Sequence, residues 1–299
     1  MNWVNVDSLY APLPEGMHVY KTTTYLDGKP NIAFYVSAEL NSKALHFTTQ
    51  VGRGKRWTPQ QFFEQDRKPT IVVNGTFFSF ADNRNLNLVI RNGQLQAYNL
   101  PTIKNPKDSL QYYYITRSAI GIDKHNRADV AWLFTDTSMK YAYSLLNGPA
   151  THTGPKADPE WPDIARGLNG GGRKKVRWKM ETAIGGGPML LQAGRVAITN
   201  QAERMFINGE NDRHPRTAMG YTKSGKLIIL AVEGRNPGKA EGATLLQEAS
   251  MLQQLGCWEA LNLDGGGSSC LLVNGKETIK PSDKEGQRPV PAVFEVYAR

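Results

Sequence analysis

The chain has 299 residues, with 36 Lys and Arg against 27 Asp and Glu, a formal net charge of +9. That length supports one large domain or two small ones with a substantial core, and no run approaches the ~20 apolar residues that span a bilayer. The positive balance suits an anionic partner such as a phosphate-bearing glycan, but it is dispersed, and nothing resembles a helix-turn-helix, RRM or zinc-finger motif, so no nucleic-acid partner is expected.

In chain order, Met1–Asp7 lacks the charged and apolar regions of a signal peptide, so no leader is visible. Asn31–Ser37 and Leu45–Gln50 read as strands. Thr58–Gln65 reads as a short helix, with Thr58 as cap and Pro59 at the first helical position. Thr70–Val73 is a buried strand running into Asn74-Gly75-Thr76-Phe77-Phe78. Leu88–Leu95 is a hairpin across Asn92-Gly93, and Ala119–Phe134 gives another pair across Asp123–Asn126. Residues 147–179 hold Pro149, Pro155, Pro159, Pro162 and Gly170–Gly172, and read as a long loop or insertion. The basic run Arg173–Lys179 within it reads first as a solvated loop and second as an electrostatic funnel. Later hairpins centre on Gln192–Gly194, Lys223–Gly225 and Val273–Gly275.

Glu241–Gly256 carries Leu245, Leu246, Ala249, Leu252 and Leu255 on one helical face. Thr244 and Gln247 have capping-box spacing, and Gly256 suits a left-handed stop. Glu248 lies near the apolar face; taken alone, a solvated helix surface explains it. Short strands joined by tight turns, with few helices, predict an α+β fold: largely antiparallel or mixed sheet with covering helices, in a single catalytic domain. Residues 1–65 are expected to be an N-terminal extension packed on the domain. Cys257 and Cys270 flank a strand and its turn, and either a bridge or two buried thiols fits that spacing.

The most informative stretch is Leu261–Val273. Two apolar runs flank Asp264-Gly265-Gly266-Gly267-Ser268-Ser269. Three glycines permit φ > 0 and close ligand approach, and successive N–H groups can form an anion nest. A flexible hairpin with Asp264 at a turn position is the plainer alternative. Ala183–Leu191 repeats the strand, glycine-turn, apolar pattern through Gly185-Gly186-Gly187, which also fits a barrel-like corner. Arg216, in His214–Tyr221, could grip a phosphate bidentately, although a lone Arg before a strand is more often a surface residue. Leu230–Pro237 places Glu233 and Arg235 at a strand end. The five histidines lack metal-ligand spacing, and Asn208–Asp212 lacks that of an EF-hand; neither a metal nor a cofactor is expected.

The order Asn-Gly-x-Phe-Phe, Ile-Gly-Gly-Gly-Pro, Pro-Arg-Thr-Ala-x-Gly, Glu-Gly-Arg, a helix with Glu248 and Asn-Leu-Asp-Gly-Gly-Gly-Ser-Ser resembles the phosphodiester glycosidase family, from about Thr70 onward. The resemblance implies a catalytic domain over 66–299, interrupted at 147–179. It implies hydrolysis of a sugar-1-phosphodiester, with α-N-acetylglucosamine-1-phosphodiester among the candidates, to a free sugar and a phosphomonoester. It assigns Asp264, Glu248, Glu233 and His214 to catalysis. It assigns Arg216, Thr217, Arg235, Asn74, Gly186, Gly187, Gly266 and Ser268 to substrate and phosphate binding. Tyr221 stands where the family pattern has His. The family's frequent export implies a periplasmic or extracellular location. The rival readings are a non-catalytic binder of anionic cell-surface glycans and a phosphoesterase that cuts P–O.

Overall fold

The computed structural model describes residues 1–145, 148–158, 175–206, 209 and 211–299. Among them, strands fall into four sheets of eight, seven, five and three strands. The eight-stranded sheet runs Val4–Asn5, Met17–Thr22, Ala33–Glu39, Lys226–Val232, Arg216–Thr222, Cys257–Asn262, Met189–Gln192, Arg195–Val196. The five-stranded sheet runs Lys276–Glu277, Leu271–Val273, Ile71–Asn74, Ala292–Ala298, Leu45–Val51. All the strand pairings are antiparallel. The first and last thirds of the chain therefore share one sheet, through Leu45–Val51 against Ala292–Ala298.

The expected α+β fold with covering helices is corrected to a mostly β fold: strands make up 43% and helices 9%. The described helices are Asp7–Tyr10, Pro59–Gln65 and Leu245–Gln254. The reason lies in what buries the sheets. One core joins Val36, Met219, Ile229 and Leu261 of the eight-stranded sheet to Val73 and Phe294 of the five-stranded sheet. Ile120, Val130, Trp132 and Ile184 of the seven-stranded sheet close it. Sheets thus cover sheets, and helices are left with two outer faces. Pro59–Gln65 places Phe62 against Val72 and Leu272. Leu245–Gln254 places Leu245, Ala249 and Leu252 against Leu190, Ala218, Leu230 and Ala260. Each fully buried Leu there contributes ~1.5–3 kcal/mol. Thr244–Gln247 forms the expected capping box, Thr58 caps the earlier helix as expected and does so in a capping box with Gln61, and Gly256 has φ +79°.

Within the expected 147–179 loop, Thr151–Pro155 pairs with Gln111–Ile115 and Lys175–Trp178 pairs with Ala142–Leu145. The basic run therefore contributes an edge strand, while Arg173 and Lys174 lie outside the described residues. So do Asn208 and Glu210 of the oxygen-rich loop. Cys257 and Cys270 are free, buried thiols; burial pushes Cys257 up to about 12.

Candidate active site

The site forms where the eight- and five-stranded sheets bring their strand ends together. Asn74, the last residue of its strand, is fully buried and ties three segments to one another. Its Nδ2 donates to the Asp264 carbonyl at 2.6 Å. Its Oδ1 accepts from Thr217 Oγ1 at 2.9 Å and from Cys270 N–H at 3.0 Å. Asp264 N–H donates to Gly75 O, Leu263 N–H to Thr217 O and Gly266 N–H to Pro215 O, at 2.7–2.9 Å. The Asp264 loop is thereby fixed from both sheets, and Gly266–Ser268 closes as a single 3₁₀ turn.

Asp264 is partly exposed. Burial pushes its carboxyl up to about 7, against the opposing pull of the Ser268 hydroxyl, the Arg288 guanidinium and the Gly265 N–H. The Arg288–Asp283 pair packs against Gly267: a Cβ there would lie 2.1 Å from Arg288 Nη2 and displace it. Arg288 grips Asp283 through Nε and Nη2 at 2.7 and 2.9 Å. On the other flank, Arg235 is exposed, has φ +57° and lies against Gly266. Its Nη2 is 3.5 Å from His214 Nδ1. Burial first, then Arg216 and Arg235, hold His214 below the usual histidine range, so the ring is neutral at pH 7.

The other predicted residues lie beneath this surface. Arg216 is 2% exposed; its Nε and Nη2 donate to the carbonyls of Ala243 and Asp212, both at 2.9 Å. It anchors the loop instead of presenting its guanidinium to solvent. Glu248, expected on a solvated helix face, has no exposed surface and neither carboxyl oxygen has a hydrogen-bond partner. Burial pushes it up to about 8, against the pull of Arg216. Glu233 accepts from Asn236 Nδ2 and Lys280 N–H, both at 3.0 Å. Gly186 and Gly187 are packing points: Gly186 N–H donates to Ser118 O and Gly187 N–H to Asn262 O. A Cβ on Gly186 would sit 2.4 Å from Asn262 O. Buried polar atoms without partners gather in the segments that meet here: Glu248, Asn262 Oδ1, Ser269 Oγ and Ser282 Oγ. Among the described residues, no three His, Cys, Asp or Glu converge as metal ligands do.

Sequence reasoning missed four contributors. Arg288 and Asp283 come from the polar loop before the last strand. Glu203 is fully buried and accepts from Ser118 N–H and Oγ, Trp132 Nε1, Met189 N–H and Thr199 Oγ1. It braces the Gly185–Pro188 turn from below. Arg117, also buried, donates to the Glu203 backbone carbonyl and is pushed down to about 10 by burial. Arg117 and Glu203 take partners far away in the chain, whereas Arg288 and Asp283 pair locally and reach the site through Gly267.

The structure is a β-rich domain with the Asp264 carboxyl in a triple-glycine loop flanked by Arg235 and Arg288. The chain carries the signature of the phosphodiester glycosidase family, whose model matches residues 158–297. N-acetylglucosamine-1-phosphodiester alpha-N-acetylglucosaminidase of Mus musculus is 38% identical over 78 residues, 26% of this chain and 15% of that protein. The SPbeta prophage-derived uncharacterized protein YomE of Bacillus subtilis is 41% identical over 73 residues, 24% of this chain and 11% of that protein. The matched stretches thus span a small part of these relatives.

Among solved structures, the zebrafish N-acetylglucosamine-1-phosphodiester alpha-N-acetylglucosaminidase catalytic domain, auto-inhibited by its pro-peptide, superposes with TM-score 0.60 at 18% identity. That match covers 100% of this chain and 89% of that one. A hypothetical protein from Synechocystis gives TM-score 0.63 at 18% identity, covering 97% of this chain and 64% of that one. At such identities the likeness is one of fold, and it includes the first 65 residues. No helix among the described residues is long and apolar enough to cross a membrane.

Proposed function

We propose that this protein hydrolyses glycosyl phosphodiesters, breaking the bond between the anomeric carbon and the phosphate oxygen. The observation that carries the reading is the placing of Asp264: a partly exposed residue whose carboxyl, pushed up to about 7 by burial, sits in a glycine turn flanked by Arg235 and Arg288. The electron pair of the broken bond leaves with the phosphate, and water supplies the oxygen that ends on the sugar. A phosphomonoester has a second pKa near ~6, so its departure needs little protonation. It needs positive charge where negative charge grows. Arg235 and Arg288 supply that charge; preorganised donors of this kind are typically worth ~10²–10³ in rate.

Asp264, ionised, faces the oxocarbenium-like carbon or activates the water. Asn74, Thr217 and Arg216 hold the loop in place, and Glu248 and Glu233 act from beneath it. His214, neutral, orients Arg235. The names of the relatives support N-acetylglucosamine in α linkage as the first sugar to try.

The test is sugar release from a panel of synthetic α-glycosyl phosphodiesters and UDP-sugars in ¹⁸O-water, with Asp264→Asn beside the wild type. Label on the released sugar, absent with the variant, supports the proposal. Label on phosphate means P–O cleavage. Binding of every compound with recovery of each intact means a glycan-binding protein.

A further inference from the structure

Arg56 is a cation without a counter-charge at the rim of this site. It comes from the loop before helix Pro59–Gln65, in the part of the chain where no motif was found. Its guanidinium lies over two rings, Phe78 and Phe80, 5.1 Å from each centroid. Among the described residues no carboxylate lies within 4.0 Å of it. Phe80 is 65% exposed, and Arg288 lies over the same ring, 5.6 Å from its centroid. The two guanidiniums therefore share one aromatic post, one beside the Asp264 loop and one beyond it. An exposed phenylalanine is a poor use of apolar surface unless it serves a contact, and the contact it serves here is with two cations.

Charge counting gives this arrangement its meaning. A phosphodiester carries one negative charge, which Arg235 faces in the proposed reaction, while Arg288 already holds the Asp283 carboxylate. Arg56 adds a third guanidinium on the leaving-group side, with one face against rings and its donors free. A guanidinium backed by apolar rings is less hydrated than one in open water and holds an anion more firmly.

We infer that Arg56 receives a second anionic group, so that the leaving group of the true substrate carries at least two phosphates. This rests on the proposed hydrolysis at Asp264. The shared chemistry is a phosphate one unit beyond the scissile one, as in a glycosyl diphosphate ester or a phosphodiester-linked polymer. A groove of about 490 Å³ is lined by Gly54 and Asp82–Asn85, close in the chain to Arg56 and Phe80, and by Tyr98 among others; the remainder of such a leaving group is assigned to it.

The binding arm uses Asp264→Asn protein, so chemistry does not interfere, and titrates inorganic phosphate, pyrophosphate, UDP and a glycerol phosphate dimer by calorimetry at low salt. The expected result is at least tenfold tighter binding of a two-phosphate ligand than of phosphate. That preference falls to within about twofold when Arg56→Ala is added, and is partly restored by Arg56→Lys. Preference for UDP or pyrophosphate identifies a diphosphate; preference for the dimer identifies a polymer. The kinetic arm compares kcat/KM for a methyl phosphodiester and a two-phosphate ester of one sugar in wild type and Arg56→Ala. No preference in the parent, or one undiminished by Arg56→Ala, overturns the inference. A uniform loss for all ligands with a lowered Tm does so too, because it makes Arg56 a clamp for the Phe78–Phe80 loop. If no sugar is released from any compound, the proposed reaction fails, while the binding arm still tests the anion site.

Discussion

Glu248→Gln separates a buried neutral acid from a buried ion pair. Glu248 has a carboxyl value of 4.5 when solvated and about 8 in the fold. Between those values the unfolded chain has lost the proton and the folded chain keeps it. Folding then takes up a proton, and stability falls as pH rises, by ~1.36 kcal/mol per unit. The penalty is absent below pH 4.5 and complete above pH 8. Gln does not titrate, so the variant lacks this slope. Its amide carries its own cost beside Arg216, ~1–3 kcal/mol for unmet donors, but that cost does not change with pH. Between pH 5.5 and 7.5 the stability difference, variant minus wild type, should therefore shift in the variant's favour by ~2.7 kcal/mol. Urea denaturation of both proteins at the two pH values measures it by linear extrapolation. Asp264 and the other raised carboxyls are common to both proteins and cancel. A difference that stays constant within ~0.5 kcal/mol would refute the neutral-acid reading and leave Glu248 ionised against Arg216.

Other consequences can be measured on the same protein. The pH profile of kcat/KM should rise through an apparent pKa of about 7 as Asp264 ionises and level off above it, since the diester's own charge is constant; a profile falling through pH 7 would make Asp264 an acid instead. Arg288→Ala should lower kcat by ~10²-fold. It should also move that rising limb to higher pH, because the cation that favours ionised Asp264 is gone; the profile of the variant reads both effects at once. Asn74→Ala leaves Thr217 Oγ1, Cys270 N–H and the Asp264 carbonyl without their partner. At ~1–3 kcal/mol for each buried orphan, it should destabilise by about 3 kcal/mol or more, visible in thermal unfolding and accompanied by loss of turnover.

What could be read from the sequence was what local chemistry decides. Asn92-Gly93 and Asn274-Gly275 all have φ near +50° to +75°, as their hairpins require. Thr58 and Thr244 cap helices because a hydroxyl three residues before a Gln is enough to satisfy two N–H groups. Asp264 was visible because two buried strands bracket a triple glycine. Burial across sheets was not visible. Arg216 and Glu248 looked like surface residues in their own segments and proved buried because other segments close over them. The fold class failed for the same reason: both main helices were where the caps put them, but whether sheets are covered by helices or by other sheets depends on pairings such as Leu45–Val51 with Ala292–Ala298. Arg56 and Arg288 reach the site from opposite ends of the chain through those pairings.

The glycine loops themselves change meaning once their hydrogen bonds are traced. Tight glycine turns promised an anion cradle of peptide N–H groups. Yet the N–H groups of Gly185, Gly186, Gly187 and Gly266 donate to Leu88, Ser118, Asn262 and Pro215 carbonyls. Gly185 and Gly186 have the Leu88 and Asn262 backbone too close for a side chain, and Gly187 and Gly266 have positive φ. Positive charge for a departing phosphate must then come from side chains that the glycines allow to approach. Exposed Arg235 meets that requirement where Arg216, fixed to two carbonyls, does not, and Arg288 meets it in part, since it also holds Asp283. Close backbone packing and electrostatic preorganisation are in this way one device: the glycines bring the sheets within reach, and the space beside Gly267 is filled by the Arg288 guanidinium and its partner Asp283.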